Sequence, residues 1–378
     1  MRPAHVLLVL ATACGDNATA QDDRVINPPR AAYNSWIEIQ PQGVVCGNDT
    51  QYKFWVNYSN TSDNLVVVFE PGGACWDYPG CTGAAGELGV ANLDGLPDDH
   101  YSLAPFISPF LNRSDDTSPS QLWNMVYVPY CTGDVHTGNV VATYSDDAGH
   151  SVDFHHDGHA AVAGVTTWID SNFTHVPKML VTGCSAGGVG ALVNYHFLRN
   201  GVHAAEKGYL FDDSGPVFPD PSNSTPMHQK IRQAWNLDSL TPDFPASFTL
   251  DDMGTINTTL ADEFPHDRLA ITYFERDDDF THYSYDEFYN HPDHDALMAL
   301  WAADTMQLTA QYATRPNLFY YLPYWRDINN SHCTTVISFV GSDFADGSMT
   351  LAQWVNDFVA DHQVESMIEP PVPGEDPQ

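Results

Sequence analysis

Short apolar runs bounded by turn residues alternate along the chain with helix patterns, and that alternation leaves few folds open. The runs are Leu65–Phe69, Met125–Val128, Met179–Thr182, Tyr209–Phe211, Ala270–Phe274 and Val336–Phe339. Each is short and apolar, as a strand buried on both faces has to be. Between them, His159 to Ile169 sets Val162, Val165, Trp168 and Ile169 on one side of a helix. Val189 to Leu198 follows a strand directly, and Met349 to Val359 begins after Ser348 as a possible cap. Strands alternating with helices predict an α/β fold with a mainly parallel sheet and helices on both faces. The stretch from Pro219 to Pro265, rich in Pro, Ser, Asp and Thr, reads as a helical or irregular excursion over the carboxyl edge of that sheet, where substrate would enter.

Charge narrows the partners. With 49 acidic and 14 basic residues the formal net charge is −35, so a nucleic acid or an anionic membrane meets strong repulsion. The N-terminus has Arg2, an apolar run from Val6 to Ala11 and then small residues, the layout of an export signal over residues 1–20 and too short for a transmembrane span. Two processing routes stay open. Leu10-Ala11-Thr12-Ala13-Cys14 resembles a lipoprotein box with a lipid anchor at Cys14, and Ala18-Thr19-Ala20 suits cleavage before Gln21. The product is expected to be exported, whether secreted, periplasmic or an outer-surface lipoprotein. Without Cys14, six cysteines remain, an even number that favours disulfides, with Cys75–Cys81 the local pair. Residues 21–363 read as one domain, expected to be monomeric, followed by a flexible, acidic, Pro-rich tail over 364–378.

The most specific local signal is Met179 to Val189. An apolar strand runs into Gly183-Cys184-Ser185-Ala186-Gly187 and then into a helix. A nucleophilic serine needs this context: a strained turn lifts its hydroxyl above the sheet, and the flanking glycines leave room where a side chain would clash. Ser185 is the candidate nucleophile, and the Ala186 amide, opening the helix, points at a developing oxyanion. Cys184 is expected to point down into the fold. Upstream, Leu65–Phe69 runs into Glu70-Pro71-Gly72-Gly73-Ala74-Cys75-Trp76, and the Gly73 and Ala74 amides are candidates for the rest of an oxyanion hole.

Together with Val128-Pro129-Tyr130-Cys131-Thr132-Gly133-Asp134-Val135-His136-Thr137-Gly138 and Asp213-Ser214-Gly215, these motifs resemble those of the pectin acetylesterases and Notum-type carboxylesterases. The resemblance covers roughly Leu65 to Phe339. It implies an α/β-hydrolase fold, a Ser-Asp-His triad working through an acyl-enzyme on O-acyl, chiefly O-acetyl, esters of carbohydrate or other alcohols, and no metal or other cofactor. The chain departs from many relatives in the oxyanion loop, where Pro71 and Ala74 stand in place of a third glycine and a tryptophan. Long-acyl lipid or polyester hydrolysis, and a binding module without activity, are the rival readings.

In this fold the acid and then the histidine follow the serine in chain order. His332, in Asn329-Asn330-Ser331-His332-Cys333, is the candidate base, and the family similarly sets its histidine beside a cysteine. His362 lies after the last helix and fits worse. The acid falls within Glu275-Arg276-Asp277-Asp278-Asp279-Phe280, after the run ending at Phe274. Spacing relative to the family favours Asp278, with Asp277 and Asp279 as rivals and Asp213 taken as structural. His155-His156-Asp157-Gly158-His159 invites a metal, but lacks a known ligand spacing and reads better as the solvated start of a helix.

Overall fold

The computed structural model describes residues 33–86 and 89–371. The expected export signal, with Cys14, lies outside them. The strands are β1 (Trp36–Ile39), β2 (Phe54–Asn57), β3 (Leu65–Phe69), β4 (Asn124–Val128), β5 (Val140–Ser145), β6 (Ser151–His156), β7 (Val176–Cys184), β8 (Ala205–Asp213), β9 (Arg268–Thr272), β10 (Leu318–Leu322) and β11 (Met367–Ile368). Nine of them form one sheet in the order β1-β2-β4-β3-β7-β8-β9-β10-β11, while β5 and β6 form a separate hairpin. From β4 to β11 every neighbouring pair is parallel; β1 and β2 add an antiparallel edge. This is an α/β-hydrolase-type sheet. Strands β3 and β4 are buried at every residue, which is why they read as unbroken apolar runs.

The principal helices are α1 (Gly158–Asn172), α2 (Ala186–Gly201), α3 (Thr225–Ala234), α4 (Thr255–Glu263), α5 (His294–Tyr312) and α6 (Leu351–Val359). Helix α2 packs on β7 and β8, burying Val189, Leu192, Tyr195 and Leu198. The cap of α6 is Thr350, whose hydroxyl accepts from the Gln353 amide at 3.2 Å, rather than Ser348. Pro219 to Pro265 contains α3, α4 and short turns. Among the described residues no helix is long and apolar enough to cross a membrane.

Three expectations are corrected. Val336–Phe339 is not a strand: Ile337 has φ 64° and is 54% exposed, and Phe339 packs its ring on Phe110 at 5.1 Å. Its place in the sheet is held by β10, Leu-Phe-Tyr-Tyr-Leu, pairing with β9. The expected tail from 364 is in fact structured to residue 371, because Met367–Ile368 pairs with Tyr321–Leu322 and the buried Glu369 carboxylate accepts from Arg326 at 2.8 Å and from the Tyr324 amide at 2.7 Å. Residues 372–378 lie outside the described part. The His155–His159 segment does open α1, with Asp157 at the N-cap position and Gly158 its first residue, but it is not solvated. His156 ends β6 fully buried, its Nδ1 on the Thr132 carbonyl at 2.9 Å and its Nε2 on the Tyr144 hydroxyl at 2.8 Å.

Candidate active site

Strand β7 ends at Cys184, and Ser185 follows in a left-handed conformation with φ 56° and ψ −122° before α2 begins. Such a turn brings the strand end and the helix start so close that a side chain at Gly187 would have its Cβ 2.2 Å from the Phe69 carbonyl oxygen. Glycine there is a steric requirement. The Ser185 amide donates to the Asp213 carbonyl at 2.8 Å, fixing the turn to the neighbouring strand.

The loop after β3 lies beside this turn. Gly73 has φ 69°, and a Cβ on it would sit 2.2 Å from the Gly89 carbonyl and 2.3 Å from the Tyr283 hydroxyl. Gly73, Ala74, Ser185 and Ala186 together wall one small cavity, so the predicted oxyanion donors and the predicted nucleophile come together. Tyr283 went unanticipated: its hydroxyl donates to the Gly89 carbonyl at 2.8 Å and is approached by the Ala74 amide. Beneath the loop, His136 Nε2 meets the Glu70 carbonyl at 3.0 Å. Burial pushes His136 down to about 4, so the ring is neutral and Nε2 carries the proton that it donates. The Glu70 carboxylate holds His100 at 2.9 Å and accepts the Tyr130 amide at 2.7 Å. Trp235 at the end of α3 donates to the Cys75 carbonyl at 2.9 Å, tying the excursion to the same loop.

His332 lies on a loop after β10. Its Nδ1 faces the Asp277 carboxylate at 2.8 and 3.0 Å, both side chains being buried. The acid beside the histidine is therefore Asp277, and the choice of Asp278 is corrected. Asp278 pairs instead with His294 Nε2 at 2.8 Å, and Asp279 accepts from Asn330 at 3.0 Å. The reason is local. Asp277 is the N-cap of a short helix, Asp278–Thr281, accepting the Phe280 amide at 2.8 Å, and that cap aims its carboxylate inward while the next two residues turn outward. Burial works against a charged His332, but the Asp277 carboxylate, with smaller help from Asp279 and Asp213, more than offsets it and holds the imidazole above the ordinary histidine value.

Asp213 is structural, in a way not foreseen. Its carboxylate accepts the amides of Thr334 and Thr335, both at 2.8 Å, and their hydroxyls at 3.1 and 2.7 Å. The side chain thus anchors the histidine loop while the carbonyl anchors Ser185. A disulfide joins Cys184 to Cys333, the immediate neighbours of Ser185 and His332, and Cys46–Cys131 and Cys75–Cys81 are the others among the described residues. Three disulfides fit a protein of an oxidising, extracellular compartment. They also remove Cys184 as a rival nucleophile. Among the described residues, two groupings of cysteine and histidine side chains are close enough to share a metal ion, and each consists of a histidine and one such disulfide, whose sulfurs are not thiolates. His362 stays apart, paired with Asp357 on the surface at 2.8 Å.

Ser185 and His332 line one open cleft of about 1000 Å³, together with Gly72, Gly73, Phe106 and Tyr283. The cavity on the other side of Ser185 is about 60 Å³ and apolar, walled by Trp76, Val189, Val217, Met227, Ile231 and Phe280. A wide open cleft and a small apolar cavity meet at the serine.

The family model described as Pectinacetylesterase matches residues 35–252, more than half of the chain. Pectin acetylesterase 4 of Arabidopsis thaliana is 23% identical over 173 residues, covering 43% of this chain and 38% of its own length. Pectin acetylesterase 7 of the same plant is 26% identical over 161 residues, covering 42% and 39%. The chain thus spans about two fifths of the length of these relatives. Two crystal forms of the Wnt deacylase Notum from Drosophila superpose with TM-scores of 0.57 and 0.58 at 14% identity, covering 89% of this chain and 97% of each Notum chain, which shows a shared fold.

Proposed function

From the premise that the chain belongs to the pectinacetylesterase family, we propose that it is an exported serine carboxylesterase cleaving short O-acyl, chiefly O-acetyl, esters of bulky alcohols. The observation that carries the reading is the convergence of Ser185 and the Asp277-supported His332 on one cleft. With Nδ1 held by Asp277, Nε2 is the nitrogen left to take the Ser185 proton as Oγ attacks the ester carbonyl. The amides of Gly73 and Ala186, joined by Ala74 when it exchanges the Tyr283 hydroxyl for the substrate, stabilise the oxyanion. His332 then returns the proton to the leaving alcohol, and water resolves the acyl-enzyme by the same steps in reverse. No cofactor enters this chemistry.

Size bears on the acyl group. A cavity of about 60 Å³ beside Ser185 has room for roughly two waters' worth of volume, which suits an acetyl or similarly short acyl group, while the wide cleft takes the alcohol. A second reading, long-acyl hydrolysis, is favoured by one further observation. A second apolar cavity, lined by Leu237, Leu240, Phe244, Phe248 and Met253 of the excursion, shares Val135, Val189, Val217 and His228 with the first. If the shared wall opens, the two form one longer channel. At the N-terminus, lipid attachment at Cys14 and cleavage after Ala20 remain the alternatives that mass spectrometry of the mature protein separates.

The test is hydrolysis of p-nitrophenyl esters from acetate to palmitate by the chain lacking residues 1–20, beside Ser185→Ala. The substitution is expected to lower turnover by about 10⁴-fold or more. Peak activity on acetate supports the short-acyl reading and a peak beyond octanoate the long-acyl one. A Ser185→Ala variant as active as the parent would sink the serine-esterase reading and bring forward a binding module.

A further inference from the structure

We infer that the substrate is an uncharged acylated polysaccharide, docked by an apolar collar around the cleft, rather than an acylated polyuronate; this deepens the esterase reading above and rests on it. The first observation concerns five of the eleven large apolar side chains that are exposed among the described residues. Leu103, Phe106, Ile328, Ile337 and Val340 are all large, apolar and exposed, Phe106 by 63% and Val340 by 71%. They come from only two segments, which meet where the ring of Phe110 packs on that of Phe339. Both segments border the catalytic cleft: Phe106 and Ile107 line it from one and Val336 from the other. Scattered single apolar side chains need no explanation, but such a concentration at the mouth of a site marks a contact surface.

The second observation is the cleft's charge. Among the described residues that line it are Glu70, Asp278 and Asp279, and no lysine or arginine. Asp99 precedes the first collar segment, and Asp327 and Asp343 flank the second. Salt screens a distant charge over about 8 Å at physiological ionic strength, so the bulk of the −35 matters little to a bound chain, whereas carboxylates lining the cleft act inside that distance. A polyuronate laid across it would set a carboxylate on every residue against Asp278 and Asp279, with no lysine or arginine in the lining to meet it. A neutral glycan meets no such penalty. The apolar C–H faces of its sugars and its acyl methyl groups suit Phe106 and the aliphatic collar, and only the scissile ester has to reach Ser185.

The measurement compares acetate release from acetylated glucomannan and from acetylated polygalacturonate of matched acetyl content, at low and high salt, with p-nitrophenyl acetate as the soluble reference. At low salt, release from glucomannan is expected to be at least about tenfold faster, with the gap narrowing as salt screens the carboxylates. The double variant Ile337→Ser/Val340→Ser should lower kcat/KM on glucomannan several-fold and leave p-nitrophenyl acetate unchanged. Sedimentation of Ser185→Ala with each insoluble polymer reads docking without catalysis, and should show retention on glucomannan only. Equal or faster release from polygalacturonate at low salt, equal retention on both polymers, or a collar variant indistinguishable from the parent on glucomannan overturns the inference. None of those results touches the esterase reading, which fails instead on p-nitrophenyl acetate if Ser185→Ala is as active as the parent.

Discussion

The nucleophile side and the acid–base side of the site are built differently. Ser185 and the oxyanion loop are made of backbone: two strand ends, glycines at Gly73 and Gly187 that no other residue could replace without collision, and a serine forced to φ 56°. Asp277 and His332 are made of side chains on loops after β9 and β10, 55 residues apart, and they meet only because the whole sheet edge is assembled. The first half is set by local sterics, the second by tertiary fit. The two are joined at Asp213 and at Cys184–Cys333. Backbone shapes the serine turn, and side chains bring the acid and the histidine together.

Breaking the second half should do most to test the contrast. Asp277→Asn is expected to lower kcat by about 10³- to 10⁴-fold, the loss seen when a triad histidine is left without its carboxylate. The pH profile sharpens the point. His332 acts as a base only when neutral, and its value is held above the ordinary one by Asp277 against the effect of burial. In the parent, kcat/KM should therefore fall as pH drops through a midpoint above about 6.5. In the Asn variant, with burial left to dominate, the midpoint should move to lower pH, and an unmoved midpoint would show that Asp277 does not govern the base. Next in size is the tie between the halves. Cys184→Ser/Cys333→Ser removes a crosslink closing 149 residues, and denaturant unfolding should show a loss of about 3 kcal/mol. Turnover should fall with it, because the disulfide joins the immediate neighbours of Ser185 and His332. The smallest effect belongs to Asp278→Asn, which breaks only a half-exposed contact with His294 and should leave kcat within about threefold. A loss as large as that of Asp277→Asn would reverse the assignment.

The same contrast explains what could be read from the sequence. Ser185, Gly73, Ala74 and Ala186 were legible because a buried strand, a glycine turn and a helix start leave their marks within a dozen residues. Asp277 was not separable from Asp278 and Asp279, since the decision rests on which carboxylate caps a four-residue helix, a choice three consecutive aspartates do not announce. Helix α5 went unread because its buried face includes Asp304 and Thr305, which break the apolar stripe. Asp304 is buried to receive the Asn223 and Ser224 amides at 2.8 and 3.0 Å. Strand β10 was overlooked in favour of Val336–Phe339, an apolar run whose neighbours Thr334 and Thr335 are claimed by Asp213 and so cannot extend a sheet. His156 looked like surface and is core, because Thr132 and Tyr144 satisfy both ring nitrogens. Tyr283 carried no motif at all; only its approach to Gly73 and Gly89 gives it meaning.

The bond between Cys184 and Cys333 gives the site a schedule as well as a shape. A thiol pair closes only where an oxidant is at hand, so in a reducing cytoplasm the serine turn and the histidine loop are joined by the hydrogen bonds of Asp213 without the disulfide. The covalent tie between the two halves of the site therefore closes only in an oxidising compartment.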